Sequence, residues 1–291
     1  MLKQVILLFL FELLSFHLFS QSKSAYIIYD TTGNEITYHQ MVQACQQADI
    51  VLFGELHNNT ICHWLEYELL NDLLKARDKK VVVGAEMFEA DNQLVINELF
   101  QHLIPMSKWE ENVRLWPNYS TDYKPIVDLC YQNGISLIAT NIPRRYAAKV
   151  ARGGFESLDS LSDEAKKYIA PLPIKYDENL GCYKNMMSMG GMGKMHANPN
   201  LPKAQAIKDA TMAHFILKYL PNKWLFYHFN GAYHSDNFEG IVWYLKQKRS
   251  DLKIVTISSI EADDISKPAK EELSGKANFI IAIPSSMTKT Y

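Results

Sequence analysis

The stretch Ile50-Val51-Leu52-Phe53-Gly54-Glu55-Leu56-His57 decides how the chain is read. An apolar run that closes on a glycine, a carboxylate and an imidazole is a strand delivering two reactive side chains beyond its end. The device returns late in the chain, where Trp224-Leu225-Phe226-Tyr227-His228-Phe229 leads through Asn230 to Gly231-Ala232-Tyr233-His234. Both exits spell Gly-x-x-His. Between them, Val81-Val82-Val83 passes through Gly84 to Glu86, and Ile135-Ser136-Leu137-Ile138-Ala139 leads to Asn141, with Arg144 and Arg145 just beyond. A single histidine after a strand is ordinarily a surface or capping residue, but four apolar runs that deliver His, Glu, Asn and His form a pattern. Open parallel α/β sheets bind ligands in the crevice outside the carboxyl ends of their strands.

Outward from these strands, apolar runs alternate with helical patterns, which predicts a single α/β domain: a mostly parallel β-sheet flanked by helices. Thr37 is placed to cap a helix reaching Ala48. Asn58, Asn59 or Thr60 is placed to cap the next, whose apolar stripe is Ile61, Leu65, Leu69 and Leu73. That helix start sets a positive dipole end beside His57. Val81 to Ala85 carries no polar residue, as for a parallel strand buried on both faces. Further helices are predicted over about Asp91 to Ile104, Lys124 to Asn133, Ala204 to Tyr219 and Asp236 to Lys248. Further strands are predicted at Ala25 to Tyr29, Lys253 to Ile257 and Phe279 to Ile283, and Glu261 to Glu272 reads as an acidic, solvated loop. The rhythm breaks at about 151–203, an irregular insertion with Pro171, Pro173, Pro199 and Pro202 and a Met-rich segment from Tyr183 to His196. Methionine is flexible and polarisable, so this segment suits an adaptable cover over a flat apolar ligand; the plainer reading is a surface loop.

With 47% hydrophobic content over 291 residues, the chain has ample material for a core. A formal net charge of -2, with the signs interspersed, offers no basic face for nucleic acid. At the amino end, Lys3 precedes an apolar run from Val5 to Phe19, interrupted by Glu12 and His17, and then a polar stretch from Gln21 to Ser24. Residues 1–20 read as a signal peptide cut near Ser20-Gln21, with an amphipathic first helix as the alternative. The mature chain, 21–291, is then exported to the periplasm or cell surface and has no transmembrane span. No cysteine stands near the end of the run to carry a lipid. Cys45, Cys62, Cys130 and Cys182 would meet an oxidising compartment. They contain no Cys-x-x-Cys pair, and Cys45 and Cys130 fall on apolar helix faces, as small buried thiols do.

Two imidazoles and a carboxylate converging on one crevice, His57, Glu86 and His234, suit a divalent transition metal with a position left for water. Glu55 would then serve as general base in hydrolysis of a peptide or ester bond. A metal-free esterase built on His57 and Glu55 fits the same residues, as does a hydrogen-bonded network that only closes the strand ends. Asn141 and Asn230 are candidates for bonding backbone loops around the pocket. Arg145, beside Arg144, is a candidate clamp for a substrate carboxylate.

At these residues the chain resembles the ChaN-like haem-binding family, within the wider group of the Tiki proteases and erythromycin esterases. The resemblance is carried by Gly54-Glu55-Leu56-His57, Gly84-Ala85-Glu86-Met87-Phe88, Asp209-Ala210-Thr211-Met212-Ala213 and Asn230-Gly231-Ala232-Tyr233-His234, spread from about Asp49 to Ile257. Each motif is short, and their order makes the set specific. The resemblance implies a periplasmic or surface iron-uptake role, haem or an iron-porphyrin as ligand, and a homodimer that pairs two haems. It also implies an ancestral metal-dependent hydrolase crevice, in which His57 and His234 match the motif histidines and Glu86 the glutamate exit. Haem iron takes tyrosine or histidine as an axial ligand. Tyr183 and His196, with Met192 near them in the insertion, are therefore the candidate haem contacts. Haem capture is the leading expectation and the metal-dependent hydrolase the alternative.

Overall fold

Strand β3 (Ile50–Glu55) is buried at every position and lies between partners remote from it in sequence. In this computed structural model, which describes residues 23–186 and 198–291, β3 pairs in parallel with β6 (Leu225–Gly231) on one side and β7 (Ile254–Ala262) on the other. Parallel pairing continues from β6 to β4 (Val81–Glu89) and from β4 to β5 (Leu137–Asn141). Beyond β7, β8 (Phe279–Pro284) is also parallel, and the hairpin of β1 (Ile27–Asp30) and β2 (Glu35–Ile36) closes that side antiparallel. The result is one 8-stranded sheet in the order β2-β1-β8-β7-β3-β6-β4-β5, the mostly parallel α/β architecture that the alternation predicts. Because β6 arrives late and inserts between β3 and β4, the carboxyl ends of β3, β6, β4 and β5 stand side by side.

Alternate residues of β3, β4 and β6 feed two cores, as a sheet covered on both faces requires. Val51, Phe53, Val83 and Tyr227 pack on one face with Leu65, Leu69 and Leu73 of the Thr60–Ala76 helix. Ile50, Leu52, Val82 and Phe226 pack on the other with Met212 and Ile216 of the Leu201–Tyr219 helix and Leu245 of the Ile241–Lys248 helix. The helices begin where the expected chemistry allows. Thr37 forms a capping box with Gln40, and the Asn59 side chain accepts from the Ile61 amide at 3.0 Å. Gly134, in left-handed backbone, ends the Lys124–Asn133 helix.

Several elements depart from the sequence expectation. β4 continues to Glu89 through an irregularity: Ala85 faces Ala139, yet Glu89 faces Asn141. Four residues of β4 thus advance against two of β5, and the slack holds Glu86, Met87 and Phe88. β7 runs on to Ala262, and Lys270–Leu273 is helical, so the acidic connection is only partly loop. The insertion contains a short helix at Gly181–Lys184, at the start of the Met-rich segment. Met192, His196 and the signal peptide read over 1–20 lie outside the described residues. The four cysteines are buried free thiols. Among the described residues no helix is long and apolar enough to cross a membrane.

The outer edge of β5 meets a side chain in place of a strand. Gln93 donates from Nε2 to the Leu137 carbonyl at 3.0 Å and accepts at Oε1 from the Ala139 amide at 2.7 Å. Elsewhere the sheet demands a missing side chain, for a Cβ on Gly54 would stand 2.8 Å from both Ala232 Cα and the Ile257 carbonyl oxygen. Both obstacles are backbone and cannot rotate away. Gly54→Ala is expected to lower stability by about 1–3 kcal/mol, read as a fall in the urea midpoint at unchanged m-value. An unchanged midpoint would mean that the turn after β6 moves aside freely.

Candidate functional site

The four strand exits open into one cavity of about 930 Å³, whose lining includes Glu55, His57, Glu86, Asn141, Gly231 and His234. Glu55 closes β3 and is buried. Its Oε1 accepts from His57 Nδ1 at 2.7 Å and from the Tyr123 hydroxyl at 2.7 Å. The His57 ring leans edge-on against Trp116, with centroids 4.9 Å apart. Carboxylate and indole together fix the ring, and its side chain keeps 35% exposure. Gly231 makes room for it, since a Cβ there would lie 2.7 Å from His57 Nε2. Burial opposes charge on both partners. Even so, the hydrogen bond from His57 and the charge of His63 hold Glu55 below the usual carboxylate range, and the same pairing raises His57 above an ordinary imidazole.

Glu86, delivered by the irregular part of β4, is held from two directions. Its Oε2 accepts from the Gly231 amide at 2.9 Å and its Oε1 from His234 Nε2 at 3.1 Å. His234 Nδ1 donates to Asp209 Oδ1, and the Tyr183 hydroxyl donates to Asp209 Oδ2 at 2.8 Å. With a carboxylate on each ring nitrogen, both nitrogens carry protons. Burial works against that charge, yet Glu86 and Asp209 outweigh it and raise His234 to about 10. Glu86 is likewise buried, and the charge of His234 holds it far below an ordinary carboxylate. The structure therefore brings the expected metal set, His57, Glu86 and His234, to one cavity. It presents His234 as a cation locked between two acids, without a lone pair to offer an ion.

The other sequence candidates divide. Asn141 lines the cavity and donates to the Glu86 carbonyl at 3.0 Å. Asn230 is fully buried behind it and bonds the Gly231 carbonyl and Ser235 Oγ, shaping the turn toward His234. Arg145 turns outward to Asp91. Its neighbour Arg144, about 100° away around the helix, lines the cavity and bonds Glu89 at 2.6 Å. Tyr183 is fully buried and its oxygen is committed to Asp209, so it presents no ligand atom to the cavity. Burial and the Asp209 charge also push its hydroxyl far above an ordinary phenol. Tyr183 is corrected accordingly, from axial-ligand candidate to a brace for Asp209.

Other members of the site lie outside the strand-exit motifs. Trp116 and Lys208 line the cavity, together with Tyr233 from within the second Gly-x-x-His. Behind Glu55 lies a second polar layer. His63 Nδ1 is 3.0 Å from Glu66 Oε2 and 3.8 Å from Glu55 Oε2, and its Nε2 is 3.5 Å from Asp122 Oδ2. Burial and the Glu55 charge push Glu66 well above an ordinary carboxylate. The available signal was phase: His63 and Glu66 are polar residues three apart, adjoining the apolar stripe of a core-facing helix.

A parallel sheet with braced imidazoles and acids around a cavity at its carboxyl ends defines a ligand-binding α/β protein of the open-sheet type. A family model described as haem-binding uptake, Tiki superfamily, ChaN matches residues 41–245, and the chain belongs to this family. Among solved structures, ChaN of Campylobacter jejuni, described as binding haem cofacially, aligns with a TM-score of 0.69 at 17% identity, covering 91% of this chain and 99% of that one. The fold is shared. A succinoglycan biosynthesis protein aligns at a TM-score of 0.49 and 10% identity, covering 84% of this chain and 90% of that one. The type III effector HopBA1 aligns at 0.40 and 13%, covering 84% and 91%. No curated protein sequence matches the chain.

The His234 network carries a pH signature. A histidine raised from 6.5 to about 10 on folding contributes stability that is fully present below pH 6.5 and is lost as pH rises through 10. Thermal unfolding of the parent should therefore weaken between about pH 7 and 10, by on the order of a few kcal/mol from this group. His234→Gln should start less stable and show a flatter slope. Parallel slopes for the two proteins would show that His234 is neutral.

Proposed function

We propose that the protein captures haem in the cavity at the strand ends, with His57 as the axial ligand to iron, in an exported haem-uptake system. The observation that carries this reading is the setting of His57: its Nδ1 is tied to Glu55, while among the described residues its Nε2 makes no hydrogen bond and lies against Gly231 at the cavity wall. A carboxylate behind one ring nitrogen fixes the tautomer and orients the other nitrogen for a metal, and histidine is a regular axial ligand of haem. The remaining lining fits the rest of the molecule. About 930 Å³ lies within the roughly 300–1,000 Å³ of cofactor pockets. Leu56, Leu115, Trp116, Pro117 and Ile142 offer apolar surface for a macrocycle, and Arg144 and Lys208 bring positive charge for its propionates. In this reading haem is cargo, and the chain's task is to bind it and shield it from water.

Membership in the haem-binding uptake family supports the same reading, as does the apolar run after Lys3 for export. The cofacial haem binding described for ChaN of Campylobacter jejuni motivates a haem-dependent homodimer here.

A haemin titration of the exported form, residues 21–291, followed by visible absorbance, tests the proposal. A saturable Soret shift is expected, with His57→Ala weakening it by about tenfold or more. Tyr183→Phe should leave haem affinity unchanged while lowering stability by about 1–3 kcal/mol, because it strips a buried carboxylate of a donor. A flat titration, or a His57→Ala titration superimposable on the parent's, sinks the assignment. Sedimentation of the same samples should show a dimer only with haemin, and a monomer at saturation would remove the dimer from the proposal.

A further inference from the structure

We propose that Glu55, His63 and Glu66 form a binding site for a single first-row divalent metal ion, buried directly behind His57. This goes beyond haem capture and does not rest on it. The three residues each bring one donor atom within 4.8 Å of the others. His63 Nδ1 is 3.8 Å from Glu55 Oε2 and 3.0 Å from Glu66 Oε2. With bonds of about 2.1 Å, those separations subtend roughly 130° and roughly 90° at one ion, within reach of a distorted four- or five-coordinate centre.

Two independent observations point to a cation at this cluster. The first is a pair of orphaned atoms: Glu55 Oε2 and Glu66 Oε1 are buried without a hydrogen-bond partner, on residues only 2% and 0% exposed. Buried carboxylate oxygens left unpaired are costly, and a specific orphan in a native interior calls for an ion, a proton or a water. The second is the setting of His63. Its Nε2 faces the His57 carbonyl at 3.2 Å and Asp122 Oδ2 at 3.5 Å, while its Nδ1 faces Glu66 and Glu55. A divalent ion taking the place of the proton on Nδ1 would meet both carboxylates at once.

The surroundings look like the outer shell of such a site. Asn118 Nδ2 donates to Asp122 Oδ2 at 2.6 Å and to the His57 carbonyl at 2.8 Å, holding both acceptors against His63. Glu55 Oε1 is satisfied by His57 and Tyr123, which leaves Oε2 for the ion. Among the described residues no lysine or arginine pairs with Glu55, Glu66 or Asp122. Glu55 reaches the cavity wall and so marks a path of access. One imidazole with two carboxylates suits Mn²⁺, Fe²⁺ or Zn²⁺ over Ca²⁺ or Cu⁺. An ion on Glu55 Oε2 would draw charge from the oxygen that braces His57, so its occupancy would tune the basicity of the cavity-facing imidazole.

The test uses the purified full chain, free of haem, stripped with a chelator and dialysed against Zn²⁺ or Mn²⁺. Metal content and thermal stability are then measured. One equivalent per chain is expected, with a higher Tm than in the stripped protein. Glu66→Gln should weaken retention about tenfold or more, and His234→Gln should retain the ion, because His234 belongs to the separate cavity network. The proposal is overturned if the parent keeps no stoichiometric metal, if Glu66→Gln keeps it undiminished, or if His234→Gln loses it. Should Glu66→Gln fail to fold, anomalous scattering from crystals of the parent grown with Zn²⁺ decides. A peak among the three donors supports the site, and its absence assigns the cluster to a proton shared between Glu55 and Glu66.

Discussion

A carboxylate buried at the tip of a central strand must be compensated, and Glu55 is the point from which the site is assembled. An ionised acid cannot stay in a low-dielectric interior without donors. Glu55 obtains them from His57 two residues ahead and from Tyr123 on a distant segment. Those bonds aim the imidazole, Trp116 steadies it, and Gly231 withholds the Cβ that would collide with it. Each partner is in place because the acid is there. The same constraint acts at Glu86, where the answer is His234, which in turn needs Asp209, which needs Tyr183.

Two copies of one short motif therefore reach unlike chemical states. At Gly54-Glu55-Leu56-His57, one ring nitrogen is tied and the ring edge meets the cavity. At Gly231-Ala232-Tyr233-His234, both nitrogens are tied and the ring is a buried cation. The difference lies in neighbours contributed by other elements. Asp209 comes from the Leu201–Tyr219 helix and Glu86 from the irregular stretch of β4. A motif places a side chain at a strand exit, and the acids that converge on it decide whether one ring nitrogen stays open to the cavity or both are tied.

Much of this was readable along the chain, and the failures share a cause. Continuous apolar runs and capping residues are local signals, so the strands at Ile50 and Val81, the cap Thr37, a cap within Asn58 to Thr60 and the Lys124–Asn133 helix were legible. The four-exit crevice was also legible, because parallel sheets use that end. The placement of β6 between β3 and β4 is a long-range choice that no local pattern encodes. Rotational phase decided Arg144 over Arg145, and a one-residue difference is below what periodicity resolves. Tyr183 looked available in a glycine- and methionine-rich segment, but the need of buried Asp209 for a donor draws it inside. His63 and Glu66 stayed hidden in a helix read for its leucines.

The amide of Gln93 reproduces, on the rim of β5, the donor and acceptor spacing of a neighbouring peptide unit. An edge strand ordinarily advertises unpaired amides and carbonyls to any extended chain that passes. Here the central groups of that strand are already taken by a side chain attached to the same domain. The opposite edge ends in β2, only 2 residues long. A sheet of this width thus leaves little template for intermolecular strand addition, so a second copy meeting it would have to associate through side chains rather than by extending the sheet.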